Sequence, residues 1–554
     1  MKLSLILAAV VAAAPALAPA QTRSPDRPGV SPARLSQHIK VLASDEFEGR
    51  GPGTAGETKT VAYLIDQMTK LGLRPGGAVL NGKRGWTQDV PLARSENGPL
   101  KLSLTAGGRT DAFTQGEQVT IRSNGTGLSQ VDIANAPLVF VGYGVKAPER
   151  NWDDFKGVDL KGKIAVVLVN DPDFETGQGD FGGKAMTYYG RWTYKYEEGA
   201  RQGALGVLVV HETAGASYGW ATVKNSNSGA MLDIVRDDPS LSHPTLEGWI
   251  QRDVTVDLFK RSGQDFEALK KLAQTRDFKP VTLTGAMFSA SYPVKQTRIV
   301  TKNVAGLIPG RTHPNETVIY SGHWDHLGIG EPDARGDKIY NGAVDNADGI
   351  ASILEVARLY KAGPVPQRSV VFLAVTAEEE GLLGSEYYGA NPLYPTATTV
   401  AVINMDAFDA TGPARDVSTS GSAPLSLLDD LAAAARTQGR TVGPDSAPEA
   451  GLYYRSDHFP FAKRGVPALS LESGSDLIEG GVTAGKAAKQ DYTDNRYHAP
   501  ADEWSPTMDL RGVAQNADLA FILGKDLANS RKWPTWGEGA EFKALRDETA
   551  AARK

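Results

Sequence analysis

Three short apolar runs in this chain each end on a residue that can bind a metal. Thr317-Val-Ile-Tyr320 leads into Ser321-Gly-His323, Val370-Val-Phe-Leu-Ala-Val375 leads into Thr376-Ala-Glu378-Glu379, and Val400-Ala-Val-Ile403 leads into Asn404-Met-Asp406. Runs of this length, alternating with helical patterns, predict strands of a parallel sheet buried on both faces. In an open α/β sheet the ligand site lies beyond the carboxyl ends of the strands. His323, Glu378 and Glu379, and Asp406 are therefore delivered to one edge of one sheet. The predicted fold is α/β, a mostly parallel core sheet covered by helices, with a smaller β-rich domain inserted.

A chain of 554 residues is too long for one ordinary core. Residues 1–20 read as a secretory signal peptide: a short apolar run after Met1-Lys2, then a small-x-small cleavage site ending at Ala20. Export to the periplasm or beyond is the expectation, and the apolar run is too short to span a bilayer. Residues 21–125 form the first part of the larger domain, with a helix capped by Ser31-Pro32. Residues 126–285 form the inserted block, with strands at Pro137–Gly144, Gly162–Val169 and Gly206–Val210. Residues 286–530 complete the larger domain, and 531–554 are a charged tail, solvated or a peripheral helix.

The chain has no cysteine, so disulfides and thiolate zinc sites are both excluded. Any zinc must be held by imidazole and carboxylate. A net charge of −6 over this length points to neither nucleic acid nor an anionic membrane as partner. No later segment is apolar enough to span a membrane, and oligomeric state is not legible.

The chemistry lies in spacing. His323 and Asp325 are two apart at a strand end, which points them to one side. An imidazole ligand commonly passes its other ring proton to a carboxylate, and Asp325 suits that role for His323. Asp345, in Gly342-Ala-Val-Asp-Asn-Ala-Asp-Gly349, sits ahead of a helical pattern. Adjacent glutamates can divide labour, one binding metal and the other handling the proton of a metal-bound water. With His498, the set His323, Asp345, Glu379, Asp406 and His498 exceeds what one tetrahedral zinc takes. It suits two metals sharing one carboxylate, an arrangement that clamps a bridging hydroxide and serves amide hydrolysis. Taken singly, each motif has a plainer reading: a surface contact, a turn with a helix cap, a solvated pair of acids. Three strand-end placements together outweigh those.

In order, Gly322-His-x-Asp325, Asp345-Asn-Ala-x-Gly349, Glu378-Glu-x-Gly-Leu-Leu-Gly-Ser385, Asn404-Met-Asp406, Ser456-Asp-His458 and Tyr497-His-x-Pro500 resemble the M28 co-catalytic zinc metallopeptidases. The resemblance covers roughly residues 31–525 and includes secreted bacterial aminopeptidases. It implies a zinc exopeptidase fold and two zinc ions per chain. Asp345 would bridge them, with His323 and Asp406 on one metal and Glu379 and His498 on the other. It also implies Glu378 as general base, Glu380 as a solvated variable position, and Tyr453 as an oxyanion donor. The inserted block resembles a protease-associated domain.

The expected activity is removal of N-terminal residues from peptides. The alternatives are a carboxypeptidase or amidohydrolase on the same metals, or a receptor-like relative without catalysis. His326 is expected on the pocket wall. Arg455 either reaches a substrate carboxylate or pairs with Asp457.

Overall fold

A computed structural model describes residues 29–445 and 447–553. The expected signal peptide, residues 1–20, lies outside the described residues. The first helix, Pro32–Leu42, is capped by the Ser31 hydroxyl as its sequence predicts. No helix among the described residues is long and apolar enough to cross a membrane.

The three predicted runs are strands His313–His323, Arg368–Val375 and Thr399–Met405, parallel to one another with Ala468–Ser473 beyond. His323 pairs opposite Val375, and Ser321 opposite Asn404, so the three chain ends finish together. Side chains alternate between two covered faces, as the strand period requires. Val318, Tyr320, Val370 and Ile403 pack with Ile350 and Leu523 in one apolar cluster. Ile319, Val371 and Val402 pack with Tyr388 and Phe461 in another. The first cluster is closed by helices Gly349–Lys361 and Arg511–Asn529. Tyr320 donates its hydroxyl to Ala520 O at 3.1 Å, and the helix lies so close that a Cβ on Gly524 would sit 1.9 Å from that hydroxyl.

A second sheet holds Gln130–Phe140, Ile164–Leu168, Gly206–His211 and Leu246–Gln251 in parallel, edged by Val119–Ile121. Its own core packs Val139, Phe155, Val167, Val209 and Trp249 together. The 28-residue strand Val281–Ile308 serves both sheets. Its first half pairs with Gln130–Phe140 and Lys101–Ala106, its second with Thr87–Asn97 and Arg368–Val375. Strands from before and after position 125 thus share the second sheet.

Of the two readings of the C-terminal segment, a solvated tail or a peripheral helix, the structure has the second, with exposed charges and buried anchors. Trp536, Phe542 and Arg546 are buried, Trp536 donates to Gly465 O at 2.9 Å, and the last turns form helix Lys543–Glu548. Apolar anchors spaced among the charges dock it.

Candidate metal centre

The strand ends are tied to one another by hydrogen bonds of main chain and side chain. His323 Nδ1 donates to the Asp325 carbonyl at 3.1 Å, which turns Nε2 inward. That Nε2 lies 3.0 Å from Asp406 Oδ1 and 3.3 Å from Asp345 Oδ1. The Asp325 carboxylate, expected to orient His323, lies 3.8 Å from Nδ1. It accepts instead the Glu378 N–H at 3.2 Å and the Glu379 N–H at 3.5 Å. The main chain of Asp325 thus holds the imidazole while its side chain fixes the turn bearing the glutamates. Burial pushes the Asp325 carboxyl up to about 7, against the pull of His323.

Asp345 precedes helix Gly349–Lys361 in an irregular turn. The Val344 and Asp345 N–H groups both donate to the Asp502 carboxylate at 3.1 Å. The Asn346 side chain accepts from Gly349 and Ala407 N–H and donates to Met405 O, tying this turn to the one bearing Asp406. A Cβ on Gly349 would stand 2.1 Å from Asn346 Oδ1, so that position needs glycine. Burial works to raise the Asp345 carboxyl, but hydrogen bonds from His323 and His498 hold it well below the usual range.

Asp345 is the hub. Its Oδ1 faces His323, and its Oδ2 lies 3.2 Å from His498 Nε2. The same His498 nitrogen lies 3.0 Å from Glu379 Oε2. On the far side of His323, Asp406 Oδ2 accepts from Ser456 Oγ at 2.5 Å, and Ser456 is held by Asn404 Nδ2 at 2.7 Å.

The two glutamates differ as adjacent ones can. Glu379 has both oxygens engaged, by His326 and His498. The Glu378 carboxylate accepts no hydrogen bond among the described residues and faces a cavity of about 800 Å³. Burial raises its pKa well above the usual range. Glu380 is half-buried and lines the same cavity, rather than standing in solvent as its position implied.

Two expectations are corrected here. His326 does not wall the pocket. It is buried, with Nδ1 2.5 Å from Glu379 Oε1. Strand periodicity ends at His323, so nothing in Ser321-Gly-His-Trp-Asp-His326 tells which way the chain turns next. Tyr453 is turned away from the centre: its buried hydroxyl donates to Ala468 O at 2.8 Å. Removing that hydroxyl in Tyr453→Phe should cost about 1 kcal/mol of stability, the worth of one hydrogen bond. Turnover should stay within about twofold. A large fall in kcat with stability untouched would return Tyr453 to the reaction.

Arg50, in the glycine-rich loop Phe47–Gly53, was not singled out by sequence. Its buried guanidinium donates to the carbonyls of Trp324, Asn341, Gly342 and Leu42. It ties together the turns that carry His326 and Asp345. Burial lowers it to about 10, with Asp502 and Asp325 opposing.

The donor set fits divalent cations. His323, Asp345 and Asp406 converge, as do His326, Asp345 and Glu379, with the ligand atoms of each trio within 4.8 Å of one another. Oxygen and imidazole donors with no thiolate suit zinc and its neighbours in the transition series.

Residues 303–522 match Peptidase family M28. A stretch of 115 residues is 34% identical to a probable zinc metalloprotease of Pyrenophora tritici-repentis, spanning 21% of this chain and about a quarter (25%) of that relative's length. Aminopeptidase YwaD of Bacillus subtilis is 25% identical over 496 residues, covering 86% of each chain. Among solved structures, an aminopeptidase from Aneurinibacillus sp. strain AM-1 covers 91% of this chain and 95% of its own, at 19% identity and a TM-score of 0.47. The residues that match peptidase family M28 carry every candidate ligand from His323 to His498.

Proposed function

We propose that the protein is a zinc-dependent aminopeptidase holding two metal ions. The carrying observation is Asp345, whose two oxygens face two different imidazoles. His323 and Asp406 would complete one site, Glu379 and His498 the other, with His326 fixing the second oxygen of Glu379. Bound zinc would supply Lewis-acid polarisation of the scissile carbonyl and of the attacking water. Glu378, the glutamate left free, takes the proton of the attacking water and delivers it to the leaving amine. Tyr497 takes the place foreseen for Tyr453. Its ring stacks on His498 at 3.9 Å and lines the cavity, which supports Tyr497 as the donor to the oxyanion. The free amine of the substrate meets a wall of carboxylates. The YwaD likeness over most of the chain supports the same reading.

The block from 126 to 285 we assign as the outer wall of the cleft, since Arg191, Trp192 and Tyr218 face Glu378 and His498 across the cavity. Export through the N-terminal segment completes the proposal. Aminoacyl 4-nitroanilides and unblocked dipeptides should be cleaved, and N-acetylated counterparts should not. Preference for an N-acylated substrate with a free terminal carboxylate would replace this reading with a carboxypeptidase.

A further inference from the structure

The cavity beside Glu378 is rich in cations, and nearly all are matched. Arg122 lies 3.7 Å from Glu247, Arg201 2.8 Å from Glu198, Arg236 2.6 Å from Asp233, and Lys463 2.9 Å from Glu197. Arg191 and Arg455 differ. Neither side chain forms an ion pair or hydrogen bond among the described residues, and the Arg191 Nε is buried with no partner. Both line this one cavity, Arg191 from the bend ahead of helix Trp192–Arg201 and Arg455 from the turn beside Ser456, and the charge on Arg455 works with burial against that on Arg191. Asp457, the pairing partner that sequence left open for Arg455, is instead buried and accepts from Ser385 Oγ at 2.6 Å.

A guanidinium whose Nε is out of water without a partner, as in Arg191, is costly unless an anion joins it, and the exposed Arg455 on the same cavity offers that anion a second fork. A guanidinium fork matches a carboxylate in two parallel hydrogen bonds. Tyr218, Tyr497 and His498 line the same cavity as Arg455, and Tyr497 stacks on His498, so the arginines share a cavity with the metal centre. A residue spans at most about 3.6 Å of extended chain, so among peptides a dipeptide brings its terminal carboxylate nearest the scissile bond. Resting on the aminopeptidase reading, we propose that Arg191 and Arg455 bind a carboxylate on the leaving side of the substrate. The preferred substrates are dipeptides, whose terminal carboxylate lies one residue beyond the scissile bond. Burial lowers Arg191 to about 10, which leaves it charged at neutral pH.

The test compares kcat/KM for Ala-Ala, its C-terminal amide, and the amide of Ala-Glu. Wild type should favour Ala-Ala over its amide by about 10- to 100-fold, the range for hydrogen bonds to a charged group. That ratio should collapse toward 1 in Arg191→Met and Arg455→Met, and recover in part in the two lysine variants. An advantage shown by Ala-Glu amide alone, lost in the same variants, would place a side-chain carboxylate in the site; the anion site would stand. An unchanged ratio in both variants would overturn it. Binding of a reduced-bond analogue of Ala-Ala, as acid and as amide, gives the same ratio by calorimetry without turnover. A wild type that cleaves N-acetyl-Ala-Ala faster than Ala-Ala would end the aminopeptidase reading while leaving this ratio to judge the arginines.

Discussion

Glu378→Gln is expected to leave the fold and the zinc content unchanged while turnover falls by about 10²–10⁴-fold, the usual loss when a general acid–base group is removed. The argument rests on the contrast between two neighbours. Glu379 is held at both oxygens by His326 and His498, whereas the Glu378 carboxylate faces the cavity without a hydrogen bond among the described residues. An amide is nearly isosteric with the carboxylate, so packing persists. The Glu378 N–H bond to Asp325 belongs to the main chain and also persists. What disappears is a site that can take a proton from water and pass it on. The loss should fall on kcat with KM little altered, since the group acts in the transition state rather than in binding. Zinc content by elemental analysis and kinetics on one aminoacyl arylamide decide it. Near-normal turnover would remove Glu378 from the reaction, and a fall matched by loss of zinc would make it a ligand.

Much of this centre was legible because strand ends are legible. A buried parallel strand is an unbroken apolar run, and whatever follows it must emerge at one edge of the sheet. That rule placed His323, Glu378, Glu379 and Asp406 together, and the register of His323 with Val375 and Ser321 with Asn404 bears the placement out. Direction beyond the strand was not legible. Tyr453 has the right neighbours in sequence, but its hydroxyl finds Ala468 O in the core, a partner set by tertiary packing alone. His326 turned inward and Asp325 served the glutamates for the same reason: turn geometry follows from contacts made by distant residues such as Arg50. Arg191 is the clearest case. It stands ahead of helix Trp192–Arg201, far along the chain from Glu378, and only folding sets the two on one cavity. No periodicity within one segment encodes a meeting of two.

Asp345→Ala is the substitution with the largest expected effect on metal. Each other ligand serves one proposed site, whereas Asp345 offers one oxygen 3.3 Å from His323 Nε2 and the other 3.2 Å from His498 Nε2. Its removal takes a donor from both sites at once. It also takes away the negative charge between two cations, so the second ion must bind against unscreened repulsion from the first. Zinc should fall from two equivalents per chain to one or fewer. A ligand that binds only the folded state stabilises it by RT ln(1 + [L]/Kd), about 2.7 kcal/mol at a hundredfold excess over Kd. The rise in melting temperature on adding zinc to chelator-treated wild type should therefore shrink sharply in the variant. Asp406→Ala, which touches only the His323 side, should give an intermediate result: one ion kept and part of the thermal shift retained. The His323 ring stays in place in either variant because it is held by Asp325 O, the turn at 345 because its main-chain N–H donates to Asp502, and His498 keeps Glu379 as a partner. Two tightly held zinc ions in Asp345→Ala, with the thermal shift undiminished, would show that no carboxylate is shared. The pair would then be two independent sites.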